Sequence, residues 1–440
     1  MSNKNQKPDY LFEVSWEVCN KVGGIHTVVA TKALTVTKSL GDNYMVIGPD
    51  LMQEGENPEF EADNSLLSDW RESLYEEGVR VRIGRWKVEG SPIAILIDFK
   101  SLISQKDEVL KHLWEDYHVD SLAGQWDYVE PVLFGHAAGM VIKSYVENFC
   151  KSVDNIVAHF HEWMTASGGL YLRKNSPYVA TVFSTHATVA GRCIAGNGLS
   201  LYSDLHKFNA DELARRFNVT AKHSIEKMAA LYHDAFLTVS DITANECKYL
   251  LGREVTNITP NGFENDFVWK ADEFETKRKE ARAAMISVAE ACLDHKFEKE
   301  PLIIGTSGRY EFHNKGLDIF MESLKRLASF NLDREILAYV MVPAANNGAR
   351  ADLVRHMEDA TPPIDEKQWK YSTHYLENRQ WDPVSQSIRG SVLESKDSKV
   401  KVIFVPSYLN GVDGVFNMNY YEMLSGMDLT AYPSYYEPWG

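Results

Sequence analysis

Leu302-Ile303-Ile304-Gly305-Thr306-Ser307-Gly308-Arg309-Tyr310-Glu311-Phe312-His313-Asn314-Lys315-Gly316 is the stretch on which the reading of this chain turns. A short apolar run of strand-forming residues ends in Gly305 and Gly308. Arg309 and Lys315 follow, and then Leu317, Phe320, Met321 and Leu324 recur at helical spacing. The pattern predicts a strand, a loop and a helix start. In open α/β sheets ligands collect at the carboxyl ends of the strands, where loop amides and a helix N-terminus favour an anion. A guanidinium that grips phosphate oxygens bidentately, with an ammonium as point charge, makes a diphosphate clamp there. Taken alone, one Arg and one Lys after a strand are usually solvated surface charges, so the rest of the chain decides.

At 440 residues the chain is too long for one ordinary core, and two domains are expected. Lys+Arg 46 against Asp+Glu 62 leaves a net charge of −16, which argues against nucleic acid and anionic membrane as partners, so an anionic ligand must be held locally. Cys19, Cys150, Cys193, Cys247 and Cys292 have no metal or redox spacing, which points to reduced, cytoplasmic thiols. The polar N-terminus lacks a signal-peptide core, and the longest nearly apolar run, Val132 to Ile142, is far short of a membrane span.

Tyr10 to Val14 reads as a strand leading into Lys21-Val22-Gly23-Gly24, with helical pattern from Val28; paired glycines at a helix start let backbone approach a phosphate or sugar. Neither Gly-x-Gly-x-x-Gly nor a Walker A sequence occurs, against a nicotinamide dehydrogenase or P-loop enzyme. Further strands are expected at Tyr44 to Ile47, Val79 to Ile83 and Ile93 to Ile97, with Gly84-Arg85-Trp86-Lys87-Val88-Glu89-Gly90 in a loop. Asn155 to Phe160 ends in His161-Glu162-Trp163, and Tyr178 to Phe183 ends in Ser184-Thr185-His186-Ala187-Thr188, with Arg192 soon after. Carboxyl ends of parallel strands share one edge, so His161, Glu162, His186 and Arg192 are expected to converge where Gly23 and Gly24 lie. His159, His161 and Glu162 are potential metal ligands. His159 and His161 share one strand face, Glu162 takes the other, no third ligand stands at a recognisable spacing and no Asp-x-Asp occurs, so no metal site is assigned.

A charged helical stretch, Asp272 to Lys299, reads as a connector. Strands follow at Leu302, Leu337 to Val342, Val400 to Val405 and Leu429 to Tyr432. Ala344 to Lys399 is polar and weakly patterned, as expected of a surface insertion. With four strands where five or six are usual, the second core reads as unfinished. The expected division is 1–265, a first α/β domain; 266–300, a helical connector; and 301–440, a second α/β domain that reads as truncated, with the insertion at about 344–399.

Lys21-Val22-Gly23-Gly24-Ile25, Gly84-Arg85-Trp86 with Glu89-Gly90, His159-Phe160-His161-Glu162-Trp163, Thr185-His186-Ala187-Thr188, Thr259-Pro260-Asn261-Gly262, Gly308-Arg309-Tyr310-Glu311-Phe312 with Asn314-Lys315-Gly316, and Pro433-Ser434-Tyr435-Tyr436-Glu437-Pro438-Trp439-Gly440 together resemble the animal and fungal type of glycogen synthase, glycosyltransferase family 3. The resemblance runs in family order from residue 10 to the last residue. It implies a GT-B type α/β fold, two Rossmann-like domains facing across a cleft, which here would be C-terminally incomplete. It also implies retaining, metal-free transfer of glucose from UDP-glucose to the non-reducing end of an α-1,4-glucan. By matching, Glu437, His186, Arg309 and Lys315 would be catalytic. Lys21, Gly23, Gly24, Arg192, Asn261, Tyr408 and Tyr420 would bind the donor, the two tyrosines beside the uracil, and Glu162 would lie on the acceptor side.

Glu437 resembles the first of the family's paired glutamates, the second of which, the ribose ligand, is expected beyond Gly440, so this stretch by itself is expected to transfer poorly. No cofactor is implied. The implied partners are UDP-glucose, glycogen or another α-1,4-glucan, a glycogenin-like primer protein and further copies of the chain. Two other readings stand beside this one: another retaining two-domain glycosyltransferase making a sucrose- or trehalose-like product, and a catalytically silent glucan-binding protein. Screening donors and acceptors by released UDP separates the first, and co-sedimentation with glycogen without UDP release marks the second.

Overall fold

Two runs of apolar strands, each broken by amphipathic helices, build two sheets in this chain, whose computed structural model describes residues 7–52, 55–262, 268–359 and 370–438. The first residues of the expected connector, the middle of the expected insertion and Trp439-Gly440 lie outside the described residues. The chain divides into two compact units, Met1–Phe263 with Pro438–Gly440, and Glu264–Glu437.

In the first unit β1 (Tyr10–Val14), β2 (Tyr44–Pro49), β3 (Phe60–Ala62), β4 (Arg80–Trp86), β5 (Ile93–Asp98), β6 (Ile156–His161), β7 (Ala180–Thr185), β8 (Ala235–Thr238) and β9 (Asn257–Ile258) form one sheet in the order β3-β4-β5-β2-β1-β6-β7-β8-β9. β4 runs antiparallel to both its neighbours, β3 and β5, near one edge; the other pairs are parallel. Parallel strands are covered on both faces, which is why these read as near-continuous apolar runs. One face packs Phe12, Val14, Met45, Ile47, Ala158 and Phe160 against the helix Trp126–Phe149. The other packs Tyr44, Val46 and Leu96 against Val29 and Ala33 of the helix Gly24–Leu40, which begins at Gly24 and not at Val28. Gly84-Arg85-Trp86 lies within β4, not in a loop. At Gly84 the Glu61 carbonyl of β3 occupies the place a Cβ would take, so glycine here admits a neighbouring backbone and does not end the strand.

In the second unit β10 (Leu302–Ser307), β11 (Ile336–Met341), β14 (Val400–Val405) and β15 (Leu429–Thr430) form a parallel sheet in the order β14-β11-β10-β15, and β12 (Asn346–Ala349) pairs antiparallel with β13 (His374–Leu376). Ile304, Val340 and Phe404 face Leu317, Phe320 and Leu324 of the following helix, while Ile303, Tyr339 and Ile403 face Met285, Val288 and Cys292 of the helix Ala271–Leu293. The helix expected as a connector thus closes one face of this sheet. The expected surface insertion needs correction too. Leu353, Tyr371, Leu376, Val384, Ile388 and Leu393 are all core residues, and Arg350 is fully buried, paired with Asp352 at 2.7 Å and donating to the Ser372 carbonyl. Polar composition hid this because the apolar residues are few and their buried cation is internally compensated.

Candidate active site

Each sheet has one place where the chain reverses its direction of growth, and ligand crevices form there in open α/β sheets. In the first unit it is β1/β6; in the second it is β10/β15. Several of the resemblance-derived residues lie beside these two places, though Asn261, after the edge strand β9, and Tyr408 do not.

At β1/β6 the parallel register sets Glu13 beside His159 and His161 beside Ser184. Glu13 lies fully buried in an otherwise apolar strand. Its Oε1 takes the Lys32 ammonium and the His161 Nε2 at 2.6 Å, and its Oε2 accepts from the Tyr44 hydroxyl at 2.6 Å. Burial alone would raise this carboxyl, but Lys32 and His161 outweigh it and hold it well below the usual carboxylate range. His161 Nδ1 is 3.3 Å from His186 Nε2, and His159 Nε2 is 2.7 Å from the Ser184 hydroxyl. Burial lowers His159, His161 and His186, the last to about 3, so all three rings are neutral at neutral pH. Glu13, His159 and His161 could together offer a metal three ligand atoms within 4.8 Å of one another. Glu13 is the third ligand that sequence spacing did not reveal. Yet Glu13 and His161 already meet at hydrogen-bond distance, and Lys32 compensates the carboxylate, so the cluster as it stands is a closed ion-pair network.

Glu162 follows β6 at φ +64°, a left-handed backbone that a non-glycine residue adopts at a cost of about 1 to 3 kcal/mol. The turn is held by Glu162 N donating to the Ser184 carbonyl at 2.8 Å and by the Thr165 hydroxyl donating to the His161 carbonyl at 2.8 Å. It places Glu162 Oε1 2.7 Å from the His186 amide. Burial pushes the Glu162 carboxyl up to about 7, against the pull of that amide and of Arg192. Two more buried carboxylates stand behind it. Glu226 accepts from the Thr185 hydroxyl and the Val189 amide, both at 3.0 Å, and Glu246 accepts from the Thr188 hydroxyl at 2.8 Å. Burial, then the Glu162 charge, raise Glu226 well above the usual range.

Around Lys21, Gly23 and Gly24 the structure adds Glu17, whose Oε2 accepts from Gly23 N at 2.7 Å and His26 N at 2.9 Å. The Gly23 amide, expected to face a ligand, therefore donates to a carboxylate of the chain, as does the amide of His26. Lys21 is exposed, and Asn261 is half-buried in the loop after β9.

At β10/β15 the loop after β10 meets the segment after β15. Gly316 has φ +61°, and the Pro433 carbonyl occupies the place of its missing Cβ. The Tyr435 and Tyr436 amides both donate to the Asn314 carbonyl, at 2.9 and 3.1 Å, and the His313 and Tyr435 rings stack at 4.1 Å. This seam sets Lys315 Nζ 2.6 Å from Glu437 Oε2. Arg309, on the same loop, is exposed and pairs with Glu311 at 3.1 Å. Tyr420 is tied to the Ser307 hydroxyl at 2.6 Å, at the end of β10, whereas Tyr408 is exposed and not drawn into this cluster.

Sequence reasoning missed Glu13, Glu17, Lys32, Glu226 and Glu246. A charge inside the apolar strand Tyr-Leu-Phe-Glu-Val was the available signal for Glu13; the others sit in helical or loop sequence where acidic and basic residues are ordinary.

The sequence pattern of the family described as glycogen synthase matches residues 13–358 and 350–440. Human liver glycogen [starch] synthase is 30% identical, over 98% of this chain and 69% of that protein. The glycogen [starch] synthases of Caenorhabditis elegans and Neurospora crassa are 30% and 28% identical, over 98% and 100% of this chain and 73% and 71% of theirs. Among solved structures, the catalytic domain of starch synthase IV from Arabidopsis thaliana, bound to ADP and acarbose, superposes with a TM-score of 0.51 at 16% identity, covering 98% of this chain and 79% of that one. That likeness shows the fold, the GT-B type of glycosyltransferases. With the pattern matched across nearly the whole sequence, the chain belongs to the glycogen synthase family and is a glycosyltransferase.

Proposed function

We propose that this chain transfers glucose from UDP-glucose to the non-reducing end of an α-1,4-glucan with retention and without a metal. The observation that carries the reading is the Lys315–Glu437 pair at the β10/β15 crevice, with Arg309 on the same loop. Lys315 and Arg309 would take the diphosphate and stabilise its charge as the sugar leaves, the task a metal performs elsewhere. Freed from Lys315, Glu437 would bind sugar hydroxyls and stabilise an oxocarbenium-like centre. Tyr420 and Tyr408 offer flat faces to the uracil. From the first unit, His186 would contact the donor glucose and Arg192 its phosphates, with Lys21, the Gly23-Gly24 backbone and Asn261 completing donor binding. Glu162, half-protonated near neutral pH, would hold the acceptor hydroxyl.

A cytoplasmic setting belongs to this reading, in line with the five free thiols; separately, among the described residues no helix is long and apolar enough to cross a membrane. A glycogenin-like primer protein and further copies of the chain are the macromolecular partners this reading carries. The test is UDP release from UDP-glucose with glycogen as acceptor, in EDTA, with linkage analysis of the product. New α-1,4-linked glucose supports the reading. A sucrose- or trehalose-like product, a strict metal requirement, or glycogen binding without UDP release overturns it.

A further inference from the structure

The histidine chain at β1/β6 ends on His186, which the proposed reaction sets against the donor sugar, while the residues behind it have no role in that reading. We infer that Glu13 and His161 are positioning residues that fix His186 as the Nε2–H tautomer, leaving its Nδ1 lone pair as the acceptor for a hydroxyl of the donor sugar.

The assignment follows proton by proton. Glu13 is ionised, with the Lys32 ammonium on its Oε1 and the Tyr44 hydroxyl on its Oε2, so its carboxylate can only accept. His161 Nε2, 2.6 Å from Oε1, must therefore carry a hydrogen. A neutral imidazole holds one N–H, so His161 Nδ1 is bare and accepts from whatever faces it. What faces it is His186 Nε2 at 3.3 Å, which must then be the donor. The proton of His186 is thereby committed to the inner side, and its Nδ1 meets no hydrogen-bond partner among the described residues. His159 does not compete, since its Nδ1 stands 3.9 Å from Glu13 Oε1 and its Nε2 faces the Ser184 hydroxyl. The backbone is fixed as well, because the His186 amide donates to Glu162 at 2.7 Å. A carboxylate that orients one imidazole and sets its tautomer is a known device for placing a lone pair; here it acts through a second ring.

This inference rests on the reading of His186 as a donor-sugar contact, and a binding experiment on the whole chain separates the two. UDP-glucose and its analogues with each glucose hydroxyl replaced in turn by hydrogen or by fluorine are titrated into the protein by calorimetry. Fluorine accepts weakly but cannot donate. If His186 accepts, one position weakens binding about five- to tenfold with either substituent. That penalty should vanish in His186→Ala and shrink to about twofold in His161→Phe and Glu13→Leu, where no acceptor imposes the tautomer. Penalties as large in those two variants as in the parent, or fluorine tolerated where hydrogen is not, would overturn the inference alone. Penalties unchanged in His186→Ala, or no UDP-glucose binding, would instead remove the reading beneath it. Should the variants not fold, ring-15N spectra of the parent decide: an unprotonated Nδ1 and protonated Nε2 at His186 are expected, and a protonated Nδ1 refutes the assignment.

Discussion

The β1/β6 crevice and the β10/β15 crevice stand at equivalent places in their sheets but are made of opposite material. In the first, Glu13, His161, Glu162 and Glu226 are buried and bound to one another in chains. In the second, Arg309 is exposed, and Lys315, though its side chain is largely buried, meets the partially exposed carboxylate of Glu437. A buried network is set during folding and loses much when one member is removed. A pair with an exposed cation, such as Arg309–Glu311, contributes little to folding and is free to exchange partners. The difference separates a region whose geometry is fixed before a ligand arrives from one whose charges are available for it.

The sharpest way to break that contrast is Glu13→Ala. It leaves the Lys32 ammonium, the His161 N–H and the Tyr44 hydroxyl facing a cavity. Removing one side of a buried ion pair costs about 3 to 5 kcal/mol. Denaturant unfolding of the parent and variant should show a loss of that size; a loss no larger than that of an exposed-site variant would mean the network is solvated and the contrast false.

Glu162 tests the same region through pH. Its carboxyl ordinarily titrates at 4.5 and in the fold at about 7, so between these values the folded chain holds a proton the unfolded chain has lost. Its contribution is complete below pH 4.5 and is lost as pH rises through 7, about 3 kcal/mol across the window. Glu226, also raised, acts in the same sense, whereas the lowered His159, His161 and His186 favour the fold as pH rises toward 6.5. Subtracting the stability-against-pH curve of Glu162→Gln isolates the one carboxyl. A difference curve flat from pH 4.5 to 7 would show Glu162 to be exposed to solvent.

In the second region the backbone, not the charge, is the sensitive part. Gly316→Ala must place a Cβ on the Pro433 carbonyl at φ +61°, costing about 1 to 3 kcal/mol or displacing the strand-following segment that carries Glu437. Protection of the Tyr435 and Tyr436 amides from hydrogen exchange, which their bonds to the Asn314 carbonyl confer, should fall with it. Unchanged protection would mean that the seam does not depend on this glycine.

Much of this was legible in the sequence because parallel strands covered on both faces must be largely apolar, and β1, β2, β6, β10, β11 and β14 are, Glu13, His159, His161 and Lys401 apart. The strand ends at His161, Glu162 and His186, and the loop of Arg309 and Lys315, could be read for the same reason: polar residues at the close of an apolar run mark the sheet edge. What stayed hidden depends on partners far away in the chain. Glu13 acquires its meaning from Lys32, Tyr44 and His161, up to 148 residues distant. Glu226 and Glu246 lie in helices where acidic residues are commonplace, and only the fold turns them inward. Gly84 read as a loop residue because glycine usually breaks strands; the close carbonyl of Glu61 is visible only in three dimensions.

The smallest expected effect on folding, and the one that best sharpens the contrast, belongs to Arg309. Its side chain is exposed and its ion pair with Glu311, at 3.1 Å, is local to the loop, so Arg309→Ala should change stability by no more than about 0.5 kcal/mol. Its proposed work is done on the ligand, where a charge-assisted contact to phosphate contributes about 1.5 to 3 kcal/mol. UDP affinity should therefore fall at least about tenfold while the unfolding midpoint stays in place. Calorimetry of UDP binding beside denaturant unfolding reads both quantities on the same preparation. Unchanged affinity would remove Arg309 from the donor site, and a large drop in stability would place it with the buried network of the first unit and end the distinction between the two regions.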